Sequence, residues 1–143
     1  MRITDPADVL RVFGRPDVWP WISEDGASVA DFQPDMARSL WLSVGLGVME
    51  FRPWSAGWWD VHIAMPPKQA RPDVLCRQAF EWVREKFGAL GFVARIPGEN
   101  IAAFKLAQRL GFEVCGRVRG CISRGGVLMD LILMELQYGR GNR

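Results

Sequence analysis

Residues 92–112 carry the strongest local structural signals in the chain. They comprise an apolar segment, the strand-breaking pair Pro97-Gly98, a run with helical periodicity and a closing glycine. Asn100 is a favourable N-cap, because its side chain can accept a hydrogen bond from a free backbone N–H of the first helical turn. Gly111 suits the left-handed conformation that ends many helices. The segment therefore predicts a strand, a turn and a helix in direct succession. The apolar stripe of that helix consists of Ala103, Leu106, Ala107 and Leu110.

Seven residues of this helix and its end keep a spacing that is typical of a known protein family. They are Asn100, Ala103, Leu106, Arg109, Leu110, Gly111 and Phe112. The pattern resembles the C-terminal signature of the GNAT superfamily of acyl-CoA N-acyltransferases. In that family a strand splays away from its neighbour and delivers an Asn at the start of a helix beside the coenzyme. The resemblance covers residues 39–136 and implies a GNAT-like α+β fold, with a mixed, mostly antiparallel central sheet flanked by helices.

Length and composition favour a globular domain. The chain has 143 residues, 49% of them hydrophobic, which predicts a single domain over residues 1–143 with its own core. The net charge is +2 and the 18 basic residues form no run, so nucleic acid is not an expected partner. Three cysteines and one histidine lack metal-binding spacing, which argues against a disulfide framework and a metal site. No apolar segment approaches membrane-spanning length, which predicts a cytoplasmic protein without membrane contact.

Apolar periodicity and breaker residues predict the remaining elements. Asp5 and Pro6 open a helix that ends at Gly14, and residues 15–22 form a second, irregular helical turn. The best helix of the chain spans residues 71–87, with Phe87 at the end of its apolar stripe. Predicted strands cover residues 27–32, 39–44, 48–52, 58–65, 92–96, 113–119 and 126–136.

The turn at residues 65–74 is expected to bind the pyrophosphate of coenzyme A, because a helix N-terminus with free backbone N–H groups attracts anions. In GNAT proteins this turn carries two glycines that let the backbone approach the phosphates. Here Arg71 and Asp73 stand at those positions. Two interpretations stay open: Lys68 and Arg71 bind phosphate through their side chains, or the site has decayed. The resemblance implies acetyl-CoA as cosubstrate and a binding set of Met65, Lys68, Gln69, Ala70, Arg71, Val74, Asn100 and Phe104.

His62 is the only histidine of the chain and lies in the strand predicted at residues 58–65. In GNAT enzymes this strand often carries the base that removes a proton from the acceptor amine. A group that titrates near neutral pH suits that role. His62 is therefore one candidate base, and Glu50 on the preceding strand is the other. The alternative interpretations are a hydrogen-bonded structural histidine and a solvated glutamate.

A general acid is harder to identify. Many GNAT members carry a tyrosine that protonates the departing thiolate at the position of Ala107. The only tyrosine here, Tyr138, lies near the C-terminal end. No obvious acid is therefore predicted, and stabilisation of the developing charge by strand amides is expected to suffice.

A second, weaker resemblance rests on the Val-His-Ile strand around His62, the turn from Pro97 to Asn100, and the spacing of Gly126 and Asp130. These features resemble GNAT-like proteins encoded by tailed phages and prophages, some of which are virion or accessory proteins. Asp130 either faces solvent or lines the acceptor end of the cleft. The resemblance leaves virion association open if the chain is of that type.

Two functions from different classes follow. The leading one is acetyl-CoA-dependent transfer of an acetyl group to the amine of a small molecule or a protein, by direct attack in a ternary complex. The alternative is a catalytically inactive GNAT-fold phage or prophage protein with a structural or interaction role. Homodimer formation is left open, as is the role of the tryptophan cluster. Trp54, Trp58 and Trp59 either pack across the sheet or form an acceptor pocket or dimer patch.

Overall fold

A computed structural model describes residues 1–138 of the chain. Its centre is one six-stranded mixed sheet with helices on both faces, as the predicted α+β class requires. The strands are β1 (Leu40–Val44), β2 (Gly47–Ser55), β3 (Trp58–Ala64), β4 (Gly91–Pro97), β5 (Glu113–Arg124) and β6 (Val127–Gln137). The helices are α1 (Pro6–Phe13), α2 (Trp19–Ile22), α3 (Pro72–Phe87) and α4 (Ile101–Arg109).

The strand order across the sheet is β1-β2-β3-β4-β6-β5. The first three strands form an antiparallel meander joined by short turns. α3 then carries the chain back across the sheet, so that β4 runs parallel to β3, as a crossover connection requires. After α4 the chain forms the long hairpin β5–β6, and β6 inserts between β4 and β5.

Each face of the sheet has its own core. The face we call the α3 face packs Phe51 and Phe92 against Phe80 of α3, and all three rings are buried. The opposite face, the α1 face, packs Trp41 of β1 against Phe13 of α1. Among the described residues, this second core draws nothing from β4, β5 or β6. The N-terminal helices therefore cover only the half of the α1 face nearest β1.

β3 and β4 separate part of the way along their length. Their parallel pairing runs from Trp58 opposite Gly91 to Val61 opposite Ala94 and then stops. β4 stays paired with β6 as far as Pro97. The end of β3 thus diverges from the end of β4, which is the splay that the family resemblance implied.

The strand predicted at residues 27–32 is absent, and this prediction was wrong. Residues Val29–Asp31 instead form a short 3-10 helix, whose first turn is capped where the Ser28 side chain accepts a hydrogen bond from Ala30 N–H at 3.3 Å. The free edge of β1 is taken by the chain start. Ile3 N–H donates to the Trp41 carbonyl and Ser43 N–H to the Met1 carbonyl, both at 2.8 Å. A serine cap and an occupied edge explain why this segment does not join the sheet.

Two strands run further than predicted. β2 continues through Pro53 to Ser55, because a register irregularity between these residues accommodates a proline that cannot donate to the ladder. β5 continues from residue 119 to Arg124, with two further irregularities along its length. Sequence alternation fails at bulges, because each extra residue reverses the face of those that follow.

The helix ends predicted from capping residues lie close to the observed ones. The Asp5 side chain accepts a hydrogen bond from Ala7 N–H at 2.9 Å at the start of α1. Gly88, at φ 65°, ends α3 in the left-handed conformation. Phe87 departs from the expected buried stripe: it is 44% exposed and meets the Trp59 ring edge-on. Within residues 1–138, none of the helices combines the length and apolarity needed to cross a bilayer.

The three clustered tryptophans have separate environments. Trp59 is buried in the α3-face core. A Cβ placed on Gly91 would lie 2.6 Å from the Trp58 ring, so this ring packs directly on the neighbouring strand. Trp54 is exposed on the β2–β3 turn. Packing across the sheet is therefore confirmed for Trp58 and Trp59.

Replacing Gly47 by alanine should destabilise the fold. A Cβ at this position would lie 2.5 Å from the Ala64 carbonyl oxygen and 2.9 Å from Met65 Cα, so β2 or the end of β3 would have to shift. We expect a loss of about 1–3 kcal/mol in the free energy of unfolding, measured by urea denaturation. Gly116→Ala is the control, since its Cβ would meet Leu133 at an ordinary 3.4 Å. Equal losses in both variants would contradict the steric explanation.

Candidate functional site

An open cleft lies on the α1 face, where β3 and β4 part. Its volume is about 240 Å³. The cleft is lined by Glu50, Arg52, Asp60, Val61, His62 and Arg95. Both candidate bases predicted from the sequence therefore lie in one cavity beside the splay.

His62 lies at the floor of this cleft and is exposed to it. The Phe13 ring of α1 meets the imidazole edge-on, with ring centroids 6.1 Å apart. Desolvation by the surrounding protein lowers the pKa of His62 below 6.5; nearby Glu50 opposes this shift, and Arg124 adds to it. Within residues 1–138, no protein hydrogen bond contributes to that shift. The imidazole is thus neutral at neutral pH, and the arrangement suits a proton acceptor better than a hydrogen-bonded structural residue.

Glu50 stands directly opposite His62 in the β2–β3 register. Its Oε2 accepts a hydrogen bond from the Ser39 hydroxyl at 2.6 Å and a longer one from the Arg52 guanidinium at 3.4 Å. The side chain is 20% exposed. Glu50 is therefore not a solvated residue of an open strand, since one of its oxygens is already committed to protein donors.

An ion pair crosses from β3 to β4 at the point where their backbones separate. The Arg95 guanidinium lies 3.1 Å from Asp60 Oδ2 and 3.3 Å from Oδ1. This pair was not predicted from the sequence. Alternation along β4 could have suggested it, because Arg95 interrupts an otherwise apolar strand.

The turn before α3 has the backbone that a glycine would adopt. Arg71 sits at φ 50° and ψ 53°, in the left-handed region, at the position that the sequence resemblance aligned with a glycine. Pro72 follows at the first helical position, and no side chain caps the helix. Within the described range, the N–H groups of Asp73 and Val74 have no hydrogen-bond partner. These N–H groups can donate hydrogen bonds to a bound anion.

The predicted coenzyme residues of this turn fall into two groups. Lys68 and Arg71 are exposed and form no ion pair within residues 1–138. Gln69 instead ties the turn to the β1–β2 connection. Its side-chain oxygen accepts from Leu46 N–H at 2.6 Å, and its amide donates to the Ala70 carbonyl at 2.8 Å. The two cations are thus free to meet phosphate, while Gln69 holds the backbone in place.

Asn100 caps α4 as predicted. Its Oδ1 accepts a hydrogen bond from Ala103 N–H at 3.1 Å, and its own N–H donates to the Pro97 carbonyl at 2.9 Å. Phe104, one turn further, is half-buried against the α3-face core. The start of α4 therefore lies directly after the splayed end of β4.

Replacing Asn100 by alanine should destabilise α4. Removal of the cap leaves the Ala103 N–H without its acceptor, so we expect a loss of about 1 kcal/mol in the free energy of unfolding. Chemical denaturation measures the loss. Asn100→Ser is the matched control, since a serine hydroxyl can cap the same N–H group. A serine variant as unstable as the alanine variant would contradict the capping explanation.

Neither position considered for a general acid faces the cleft. Ala107 is buried in the α3-face core. Tyr138 packs edge-on against Phe92 on the same face, with the Arg84 guanidinium 4.3 Å from its ring centroid. His62 lies on the opposite face of the sheet, so Tyr138 is not placed to act with it.

The tip of the β5–β6 hairpin contacts the loop that follows α2. Asp25 accepts hydrogen bonds from the N–H groups of Gly125 at 2.8 Å and Gly126 at 2.9 Å. Arg124 donates to the Ser23 carbonyl at 2.8 Å and reaches Glu99 at 3.3 Å. We call these contacts the hairpin clasp. The sequence contained no signal for it, because the partners are far apart in the chain.

Asp130 supports a backbone irregularity rather than lining the cleft. Its carboxylate accepts a hydrogen bond from Gly120 N–H at 3.0 Å and lies 3.6 Å from Arg117. Both partners belong to β5, near the point where its pairing with β6 shifts register. Asp130 thus stabilises the bulged hairpin.

No protein-family model matches the sequence, and no curated protein matches it. Solved structures with a similar fold do exist. The ribosomal-protein-S5-alanine acetyltransferase of Vibrio fischeri superimposes with a TM-score of 0.75 at 13% identity, covering 98% of this chain and 92% of the other. A putative acetyltransferase of Salmonella typhimurium, yncA, solved with acetyl-CoA, gives 0.54 at 22% identity over 66% of this chain and 58% of the other.

A putative phosphinothricin N-acetyltransferase gives a TM-score of 0.59 at 19% identity, covering 66% of this chain and 61% of the other. This chain thus spans about three-fifths of that protein and of yncA. At these identities the likeness concerns the fold. The chain has the GNAT-like α+β fold that the pattern at residues 100–112 implied.

Proposed function

We propose that this protein transfers an acetyl group from acetyl-CoA to an amine by direct attack. The observation that carries the proposal is the splay between β3 and β4, with the neutral imidazole of His62 at its side. A splayed pair of parallel strands leaves backbone N–H and C=O groups without partners, and such groups need hydrogen bonds from a ligand or water. The fold shared with acetyltransferases supports the same conclusion.

The residues around the splay suit coenzyme A. Lys68 and Arg71 would bind the pyrophosphate through their side chains, together with the free N–H groups at the start of α3. Asn100 and Phe104 would flank the pantetheine arm, and Met65 and Val74 would supply apolar contacts. In this proposal the side chain of Gln69 and the backbone of Ala70 shape the turn. The coenzyme supplies the acyl group as a thioester.

The proton balance of the reaction assigns His62 its role. An acceptor ammonium loses two protons on becoming an amide, one before and one after the nitrogen attacks the thioester carbon. His62 takes the first, and the sulfur takes the second as its bond to carbon breaks. Glu50 is less suited to be the base, because Ser39 and Arg52 already donate hydrogen bonds to one of its carboxylate oxygens.

The acceptor is a primary amine that reaches the open cleft. Structural neighbours act on different amines: one is named for an alanine of ribosomal protein S5, and another is a spermidine N-acetyltransferase chimera. The proposal therefore extends to both small-molecule and protein amines.

A thiol-release assay tests the proposal. The protein is incubated with acetyl-CoA and, in turn, a peptide with an N-terminal alanine, spermidine and a free amino acid, and free coenzyme A is measured. We expect release above the protein-free rate with at least one amine class, and binding of acetyl-CoA in the micromolar range by calorimetry. No binding at millimolar acetyl-CoA would contradict the proposal.

A non-enzymatic role on the same fold is the second candidate. The observation that favours it is the start of α3, where Pro72 lacks an N–H donor and Asp73 places a negative charge near the expected pyrophosphate. A calorimetric titration without binding would support this role, and the search would then turn to protein partners.

A further inference from the structure

A chain of polar side chains leads from a surface loop to the floor of the cleft. The Ser39 hydroxyl donates to Glu50 Oε2 at 2.6 Å and accepts from Arg52 Nε at 3.1 Å. The Arg52 guanidinium continues to Asp35 Oδ2 at 3.4 Å. Ser39 is only 7% exposed and, within residues 1–138, is the one polar residue buried together with the apolar core. A buried hydroxyl that both donates and accepts fixes the geometry of its two partners.

Asp35 anchors the far end of this chain. Its Oδ1 accepts hydrogen bonds from Ala37 N–H at 3.1 Å and Arg38 N–H at 3.0 Å. Its backbone carbonyl accepts from the indole of buried Trp41 at 3.1 Å. These bonds, and above all those from Arg38, hold the pKa of Asp35 below its usual value. The network therefore starts from a carboxylate that hydrogen bonds from residues 37 and 38 hold in place.

The network determines how Glu50 is presented to His62. Both protein contacts to Glu50 use Oε2, so Oε1 has no protein donor within the described range. Ser39 also occupies Arg52 Nε, which keeps the guanidinium from forming a side-on, two-pronged pair with the carboxylate through that nitrogen. The negative charge of Glu50 thus stays directed at the cleft, directly across the strand pair from the imidazole.

We propose that Ser39 and Arg52 are positioning residues that hold Glu50 as a fixed anion, which binds the acceptor ammonium and stabilises the imidazolium of His62 after proton transfer. This inference rests on the proposed acetyl transfer and assigns Glu50 a role other than that of the base. Ser39 does not touch the substrate and acts only through Glu50.

The charged groups around His62 determine in which direction its pKa should shift when the network is broken. The charged groups on the elements around the imidazole are Glu50 and Arg52 on β2, Asp60 on β3, Arg95 on β4 and Arg124 on β5. Glu50 raises the pKa of His62 against the effect of desolvation by the surrounding protein. Without the Ser39 hydroxyl, Arg52 Nε is free to pair with Glu50, and the field at the imidazole weakens. The His62 pKa then falls, and the base becomes weaker.

The chain has a single histidine, so NMR can follow its imidazole without ambiguity. We expect Ser39→Ala to titrate below the wild type and Glu50→Gln lower still. Ser43→Ala is the matched control, since Ser43 lies on the neighbouring strand β1 and its hydroxyl donates to the Met1 carbonyl, away from the cleft. Ser39→Thr keeps a hydroxyl and should retain the wild-type titration. The turnover of Ser39→Ala should fall roughly tenfold, with the acid limb of its pH profile moved to lower pH.

The titrations of the two variants and the acetyl-transfer assay test separate parts of the proposal. An unchanged titration in Ser39→Ala, with a lowered one in Glu50→Gln, would overturn the positioning role of Ser39. Unchanged titration in both would overturn the action of Glu50 on His62. Shifted titrations in a protein that transfers no acetyl group would leave the positioning network intact and defeat the proposed reaction. If Ser39→Ala does not fold, a titration of Ser39→Cys that matches the wild type overturns the inference, because a thiol is a weak donor.

Discussion

Replacing Arg71 by glycine should make the protein more stable and its binding of acetyl-CoA weaker. A non-glycine residue at φ 50° carries a steric penalty that glycine avoids. After the extra freedom of glycine in the unfolded chain is subtracted, we expect a gain of about 0.5–1 kcal/mol in the free energy of unfolding. Loss of the guanidinium should weaken binding by about tenfold, measured by calorimetry, if the side chain contacts phosphate.

Ala56→Gly is the matched control. Ala56, at φ 49°, is the other non-glycine residue with positive φ within residues 1–138, and it lies on the β2–β3 turn, whose Gly57 bonds to Leu90 beyond the C-terminal end of α3 rather than at its start. We expect this variant to gain stability with unchanged affinity. Arg71→Glu should weaken binding further, by about a hundredfold, because it places a negative charge beside the pyrophosphate. Full affinity in Arg71→Gly would mean that backbone contacts alone hold the coenzyme.

Replacing His62 by glutamine should lower turnover by about 10²–10³-fold without changing the affinity for acetyl-CoA, because the base acts on the acceptor amine. For the wild type, the acid limb of kcat/KM should lie below pH 6.5, since desolvation lowers the pKa of His62. Steady-state rates across pH measure both effects. Glu50→Gln is the informative comparison, with an expected loss of only about tenfold. A larger loss in Glu50→Gln than in His62→Gln would identify Glu50 as the base.

The lowered pKa of His62 also makes stability depend on pH. Below pH 6.5 the unfolded chain binds a proton at this position that the folded chain does not, so stability falls as pH decreases toward the folded pKa. Above pH 6.5 both states are neutral there, and the stability is fully present. His62→Gln should therefore remove this part of the acid dependence in a urea titration series.

Local chemistry predicted the helices of this fold, because their signals lie within a few residues. Asn100 begins α4 by capping it, as predicted, and Gly88 ends α3 directly after the predicted last residue, 87. The strand predicted at residues 27–32 is absent for the opposite reason, because the competing contact comes from far away in the chain. The edge of β1 that they would have joined is occupied by Met1 and Ile3, which is a contact between distant segments. The strand propensity of a segment does not reveal whether another segment already occupies the edge of the sheet.

The same distinction explains what was found at the site. His62 and Glu50 were found from their residue type and from the family resemblance, which expects a base on these strands. Ser39, Arg52 and Arg95 were missed, since their roles depend on which residues stand opposite one another across three strands. The left-handed conformation of Arg71 was also missed, because an arginine does not signal a backbone that glycine prefers.

The hairpin clasp is expected to form late when the chain folds. Three of its bonds join residues 100 or 101 positions apart in the chain: those of Asp25 with Gly125 and Gly126, and that of Arg124 with Ser23. Contacts of such high sequence separation form late, because a long loop must close before they add any stability. During synthesis, the N-terminal helices and the first strands leave the ribosome well before Gly126 does. The contact between the hairpin tip and the N-terminal region is therefore a property of the finished chain, and a nascent or C-terminally shortened chain lacks it.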